Sequence, residues 1–268
     1  MKNKFPVSII LPLKSSKTKD FDEYFKKAID SILNQKVEVE ELVIVHTPEE
    51  SLIEFLNNYD FSTLNVTKLL WDQEPNYGSQ MNFGIKNAKG KWVSLFEFDD
   101  EYSSIWFDNV KKFADSYTDV QMFLPVVVET DDKGVFAGFT NEATFAANFT
   151  QEIGFLTNET LQNYQNFQTA GSVFKKELID DFGGLKPSIK LTFIYEFLLR
   201  LTYNSVYIMT IPRLGYKHTN LREGSIFWNY KYGETKMIDE EVRFWIQTAK
   251  KEYFFTDDRV IKYQSDNA

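Results

Sequence analysis

Four acidic residues, Glu97, Asp99, Asp100 and Glu101, crowd together at the end of an apolar run, and this is the sharpest chemical signal in the chain. Hard cations such as Mg²⁺ and Mn²⁺ prefer carboxylate oxygens and usually bind through one or two carboxylates plus substrate phosphates. Residues 92–98 read as a strand running straight into these acids. Alternation along a strand points Glu97 and Asp99 to one side. On that reading one carboxylate holds a metal while the other meets the ribose of a nucleotide. The plainer alternative is a solvated acidic turn. There are no cysteines and only two histidines, His46 and His218, so thiolate chemistry, disulfides and cysteine-based zinc sites are excluded.

The elements that would position these acids follow from apolar periodicity. Residues 7–11 form a short buried strand ended by Pro12, and residues 22–33 repeat apolar side chains at helical spacing. Strands follow at 41–45 and 65–70, with a helix at 52–57 between them. Residues 80–88 form a short helix with Met81, Ile85 and Ala88 on one face, stopped by Gly90. This β-α-β-α-β-α-β order implies an α/β fold with a mostly parallel sheet flanked by helices. Ligands of such sheets bind past the carboxyl ends of the strands, where the acids sit. Further on come a strand at 122–128, a hairpin turn at 131–134 and a strand at 170–174. A short helix at 175–182 is broken by Gly183-Gly184. An apolar helix spans 191–203, and a strand at 206–211 is ended by Pro212. Residues 236–253 carry Ile238, Val242, Trp245, Ile246, Ala249 and Tyr253 on one stripe. That stripe reads as a helix docked on the core or as a contact in a homo-oligomer.

The net charge of −9 argues against nonspecific nucleic-acid binding, which depends on basic residues displacing counterions. Residues 5–13 are apolar but interrupted by Pro6 and Pro12, with no small-residue cleavage site, so no signal peptide is expected. No run of 18 apolar residues occurs, so no transmembrane helix is expected and a cytoplasmic protein is the default.

Asn76-Tyr77-Gly78, then Asn82-Phe83-Gly84-Ile85, Ala88, Gly90 and the run into Glu97 resemble a signature of family 2 glycosyltransferases. There the pattern is approximately N-x-G, A-R-N-x-G-i-x-x-A-x-G, then a strand ending D-x-D-D. The resemblance begins at Val7-Ser8-Ile9-Ile10-Leu11-Pro12 and Ser31-Ile32-Leu33-Asn34-Gln35. It resumes at Gly171-Ser172-Val173-Phe174, Phe182-Gly183-Gly184-Leu185 and Leu198-Leu199-Arg200-Leu201, and ends near Gly215-Tyr216-Lys217-His218. It implies a GT-A fold over residues 1–220, with a nucleotide-binding half at 1–102 and an acceptor half at 103–220. A small C-terminal helical extension would occupy 221–268. The implied ligands are a nucleoside-diphosphate sugar donor, an unidentified acceptor, and Mn²⁺ or Mg²⁺. Pro12 and Leu13 would line the base, Glu97 would approach the ribose, and Asp99 with Asp100 would hold the metal. His46, Asn76, Gly78 and Asn82 would complete the donor site. His218 falls where many members place a histidine near the diphosphate or metal; the alternative is a surface or cap histidine.

Four departures matter. His46-Thr47 replaces a base-reading aspartate, Met81 replaces an arginine that would meet the pyrophosphate, and Glu97 replaces the first aspartate of the cluster. Inverting members carry an E-D pair ahead of the arginine matching Arg200, whose aspartate is the general base. Here Phe193-Ile194 stand at that place. Glu196 is the nearest carboxylate, but two helical positions turn about 200°, to the other face. It therefore reads either as the base or as a supporting carboxylate, and a base in the Asp180-Asp181 turn is a third option. Without a base at the usual place, transfer by the family's route would be feeble. A catalytically impaired protein of the same fold that binds a sugar nucleotide or a partner is accordingly the alternative to an enzyme, and a nucleotidyltransferase is a weaker one, because Leu13-Lys14-Ser15-Ser16 is a poor glycine-rich loop.

Overall fold

The computed structural model describes residues 3–142, 154–251 and 253. Its first half runs β1 (Lys4–Leu13), α1 (Phe21–Leu33), β2 (Glu38–His46), α2 (Glu50–Asn58), β3 (Val66–Leu70), α3 (Tyr77–Asn87), β4 (Trp92–Leu95). β5 (Glu101–Tyr102), α4 (Trp106–Ser116), β6 (Met122–Thr130), β7 (Phe136–Thr140) and β8 (Phe155–Leu156) follow. The described chain closes with α5 (Asn158–Asn163), β9 (Val173–Lys175), α6 (Glu177–Phe182), α7 (Phe193–Tyr203), β10 (Ile208–Thr219), α8 (Ile226–Lys231) and α9 (Asp239–Lys250).

One sheet of order β3-β2-β1-β4-β9-β6-β10-β5 carries these elements, with β7 beside β6 and β8 beside β10. The expected parallel order holds from β3 through β4 and again between β6 and β10. Between these blocks β9 runs antiparallel to both β4 and β6. Strand alternation splits the core in two. Ile9, Leu11 and Ile44 pack with α1, α2 and α4, whereas Ile10, Val43 and Val45 pack with α3, α6 and α7. Both faces of β1 and β2 are thus covered, which is why their sequences are nearly continuous apolar runs instead of alternating ones.

Two strand boundaries differ from expectation, and both shape the site. β4 ends at Leu95, and the chain then turns, with the Asp100 N–H donating to the Glu97 carbonyl at 3.3 Å. The period-2 argument for Glu97 and Asp99 therefore does not apply. In contrast, β10 does not stop at Pro212. Its ladder to β6 shifts register between Ile211 and Leu214 and again before Tyr216, then continues to Thr219. A bulge absorbs the missing proline N–H. Gly215 lies in this irregular stretch, where a Cβ would collide with Trp106 and Pro125.

α9 docks through its second half. Ala249 and Tyr253 are buried, the Thr192 hydroxyl donates to the Trp245 carbonyl at 2.9 Å, and Ile238 is exposed. The rest of the C-terminal extension, residue 252 and residues 254–268, and residues 143–153 of the middle region lie outside the described residues.

Gly84 sits where α3 crosses the sheet. A Cβ there would lie 2.5 Å from Ile10 Cγ2 and 2.9 Å from Val45 Cγ2. Alanine should gain about 0.5–1 kcal/mol in helix propensity but lose about 1–3 kcal/mol to overpacking. Gly84→Ala is therefore expected to lower the urea midpoint; an equal or higher midpoint would show that α3 can move away from the sheet.

Candidate functional site

The carboxyl end of β1, the turn after β4 and the first turn of α3 meet at a cleft of about 230 Å³. Asn76 caps α3, its Oδ1 accepting the Ser79 N–H at 3.0 Å, and so fixes where that helix starts. One turn in, Gln80 donates to the carbonyls of Leu13 and Val45, each at 3.3 Å, which ties α3 to the ends of β1 and β2. Pro12, Tyr77, Gln80, Glu97, Asp99 and Arg222 line the cleft.

The acidic turn is divided between two partners. Glu97, Asp100 and His218 place their ligand atoms within 4.8 Å of one another. His218 Nδ1 lies 2.9 Å from Asp100 Oδ2, and the Thr219 N–H donates to Asp100 Oδ1 at 2.9 Å. Asp99 instead meets Arg222, whose Nε donates to Oδ2 at 2.5 Å while the guanidinium lies over the Phe98 ring. The turn thus sends Asp99 and Asp100 to different partners, where strand alternation had paired Glu97 with Asp99. Both Glu97 and Asp99 still face the cleft.

Burial and the neighbouring Asp100 charge push the Glu97 pKa well above the ordinary carboxylate value. Asp99 is raised by burial and by Asp100, against the opposing pull of Arg222. Burial alone would lower His218, but the charge and hydrogen bond of Asp100 outweigh it and raise the imidazole's pKa. These directions describe one cluster of like charges short of cations. Two carboxylates and an imidazole are a suitable donor set for a divalent ion of the Mg²⁺ or Mn²⁺ kind. Among the described residues, Glu97 has only the weak 3.3 Å contact from the Tyr77 hydroxyl to occupy its oxygens. The residues present fit such an ion.

The other residues singled out in the sequence are scattered around this centre. Gly78 and Asn76 line a smaller neighbouring cavity, with Gly78 against Leu185. Leu13 is buried in the core, and His46 is buried with Nδ1 2.9 Å from the Thr47 carbonyl; neither lines the cleft. Asn82 faces away from it, exchanging hydrogen bonds with the Leu185 backbone at 2.7 and 2.9 Å. Arg222 was not anticipated. Its type and spacing do not set it apart from Arg213. It supplies a guanidinium to the cleft.

Glu196 is 1% exposed and points into α7's packed face. Its carboxylate takes Arg200 Nε at 3.0 Å and Nη2 at 2.9 Å, Lys186 at 2.9 Å and the Tyr253 hydroxyl at 2.9 Å. Arg200 in turn donates to the carbonyls of Gly183 and Gly184, each at 2.7 Å. The pair therefore clamps the glycine loop. Ile194, two positions earlier, faces a different cavity, as the helical rotation requires.

A mixed sheet with helices on both faces, and an acid–histidine cluster beyond the carboxyl ends of its parallel strands, defines a protein of the GT-A type. The model of glycosyl transferase family 2 matches residues 8–182, and the chain belongs to that family. It is 28% identical over 120 residues to the minor teichoic acid biosynthesis protein GgaB of Bacillus subtilis, covering 42% of this chain and 12% of that protein. An uncharacterized glycosyltransferase of Rickettsia felis is 33% identical over 96 residues, covering 36% of this chain and 15% of that one. Among solved structures, residues 1–349 of S. aureus TarS in complex with UDP-GlcNAc align with a TM-score of 0.68 at 16% identity, over 94% of this chain and 66% of that one. The TarS complex with UDP aligns with a TM-score of 0.59 at 17% identity, over 82% and 60%. The chain thus spans a small part of the two sequence relatives, and the TarS likeness concerns the fold.

Burial opposes ionisation of Glu196, but Arg200 and Lys186 outweigh it and hold its pKa below the usual value. A depressed carboxylate stabilises the fold above its unfolded pKa, and that contribution is lost as pH falls through the folded value. Glu196→Gln should therefore destabilise the fold by about 3–5 kcal/mol at neutral pH, the cost of breaking a buried pair. In denaturant melts the gap between variant and wild type should narrow below about pH 4.5. A gap constant from neutral pH to pH 3 would contradict the assignment.

Proposed function

We propose that the chain transfers a sugar from a nucleoside-diphosphate donor to an acceptor, with a divalent ion at the diphosphate. The observation that carries this reading is the convergence of Pro12, Tyr77, Glu97, Asp99 and Arg222 on one cleft beside the Glu97–Asp100–His218 cluster. Pro12 offers an apolar wall to a nucleobase, and Glu97 and Asp99 offer acceptors to ribose hydroxyls. Arg222 offers charge-assisted donors to a phosphate. Glu97, Asp100 and His218 would hold the ion, which when bound supplies charge stabilisation to the departing diphosphate. UDP, and UDP-GlcNAc in particular, are the first donors to test, because TarS structures contain them. No helix of the described residues is long and apolar enough to cross a membrane.

A second reading, a protein that binds the donor without transferring its sugar, draws on one observation. The carboxylate nearest the family's base position, Glu196, is locked in buried ion pairs.

Thermal-shift titration of nucleoside diphosphates with and without Mn²⁺ separates donor binding from its absence. At about 100 times Kd a ligand adds about 2.7 kcal/mol, or roughly 5–10 °C for a chain of this size. That increment should require Mn²⁺ and should vanish in Asp100→Asn. Arg222→Ala should keep the metal dependence but weaken nucleoside-diphosphate binding about 10- to 100-fold, the loss of one charge-assisted phosphate contact. A shift that is the same without Mn²⁺, or in Asp100→Asn, would defeat the metal assignment. Absence of any shift across the panel would defeat the donor reading itself.

A further inference from the structure

Behind Glu97 and His218 lies a second and larger cavity, of about 560 Å³. Glu97 lines both this cavity and the donor cleft, so its carboxylate forms a shared wall. Glu129, near the end of β6, also lines the second cavity. It stands beside His218 in the parallel β6–β10 ladder, and paired residues on neighbouring strands point to the same face. Its Oε1 accepts from Gln168 Nε2 at 2.7 Å and its Oε2 from Asn220 Nδ2 at 3.0 Å. Both partners are neutral amides that fix the carboxylate without neutralising it. This contrasts with Glu196, which is held by two cations, and with Asp99, which is held by Arg222. Each Glu129 oxygen has a second lone-pair direction available to a further donor.

The remaining wall mixes polar groups such as Gln165, Asn166 and Thr192 with the rings of Phe167, Tyr195 and Phe227 and with aliphatic side chains, Ile194 among them. Among the described residues no lysine or arginine lines it, and the one basic group there, His218, is engaged by Asp100. With the Glu129 carboxylate over it and no lysine or arginine among its described lining, the cavity disfavours a phosphate, whereas amides and rings suit the hydroxyls and apolar faces of a sugar or polyol.

On the reading that the cleft binds a sugar nucleotide, we infer that this cavity receives an uncharged, hydroxyl-rich acceptor and that Glu129 is the catalytic carboxylate that takes the attacking hydroxyl's proton. The acceptor oxygen forms the bond to the donor's anomeric carbon. The bond from that carbon to the β-phosphate oxygen breaks, and its electron pair leaves with the nucleoside diphosphate. The hydroxyl proton passes to the Glu129 carboxylate. The acid expected near Phe193-Ile194, on α7, is thereby supplied from strand β6 instead.

The test uses the full chain, Mn²⁺ and UDP-GlcNAc, with the other common nucleotide sugars in parallel. Nucleoside-diphosphate release is measured with water alone, then with glycerol, ribitol or N-acetylglucosamine, then with glycerol 3-phosphate or ribitol 5-phosphate. Glu129→Gln should bind nucleoside diphosphate within about twofold of wild type and keep its melting temperature. Its release rate should fall about 10²- to 10⁴-fold at unchanged donor KM, the range of general-base assistance. Neutral polyols or sugars should accelerate wild-type release and form product, and their phosphates should do so less well. Gln168→Leu should raise the acceptor KM and leave the donor KM alone. Unchanged turnover in Glu129→Gln, preference for the phosphorylated acceptors, or no turnover by a wild type that binds nucleotide would each overturn the inference and leave the donor reading standing. A wild type that binds no nucleotide would overturn both.

Discussion

Three carboxylates, Glu97, Asp99 and Asp100, occupy one turn in which the two aspartates are buried and Glu97 is half-buried, and the rest of the site is arranged around that electrostatic cost. Like charges out of water raise one another's pKa and penalise the fold unless cations or hydrogen-bond donors reach them. Here the donors come from the far end of the sequence. His218 and Thr219 serve Asp100, the Thr219 hydroxyl also donates to the Asp99 carbonyl at 2.6 Å, and Arg222 serves Asp99. The turn and the end of β10 are therefore mutually dependent. β10 reaches the turn only because its ladder survives Pro212 through an irregular stretch that a larger residue at Gly215 would obstruct. A divalent ion at this place would add to charges that His218 and Arg222 only partly balance.

A second buried network holds the floor. Asn82 grips the Leu185 backbone, Arg200 grips the carbonyls before it, and Glu196 fixes Arg200. Gly78 then packs on Leu185, so the first turn of α3 is set against a clamped loop. Gln35 plays a comparable part across the sheet, donating to the Ser103 carbonyl at 2.8 Å and accepting from the Phe107 N–H at 3.3 Å. Much of the recurrent family pattern in this chain thus maintains the shape of the loops. Asn82, Gln35 and Arg200 position backbone that in turn positions Tyr77 and the acidic turn.

The alternation of strands and helices over the first hundred residues was legible because each element there has a full apolar period and a clear stop. The acids were legible as a chemical group, but their division was not. Periodicity describes a strand, and β4 ends two residues before Glu97. Pro12 and Pro212 misled in the same way, because a proline removes one N–H without forbidding extended backbone on either side. Arg222 and Glu129 were invisible for another reason. Each acquires its meaning from a partner about 90 or more residues away, Asp99 or Asn220, and no local spacing encodes such a meeting. Glu196 was visible and faces the side that helical rotation indicated; only its full set of partners required the fold.

The β6–β10 ladder finally explains how the two cavities can be kept in register. Glu129 and His218 sit on the same rung, and Thr130 and Thr219 on the next. Neighbouring strands lie about 4.8 Å apart, a spacing set by backbone hydrogen bonds and hardly adjustable by side chains. His218 joins the acid cluster beside the smaller cleft, while Glu129 is held by Gln168 and Asn220 over the larger cavity. A reaction between groups in the two cavities would need their separation held to a fraction of an ångström. Here that separation is fixed by sheet geometry rather than by mobile loops. On the inferred reaction the carboxylate facing the acceptor comes from a strand, while α7 devotes its own carboxylate, Glu196, to clamping the loop beneath.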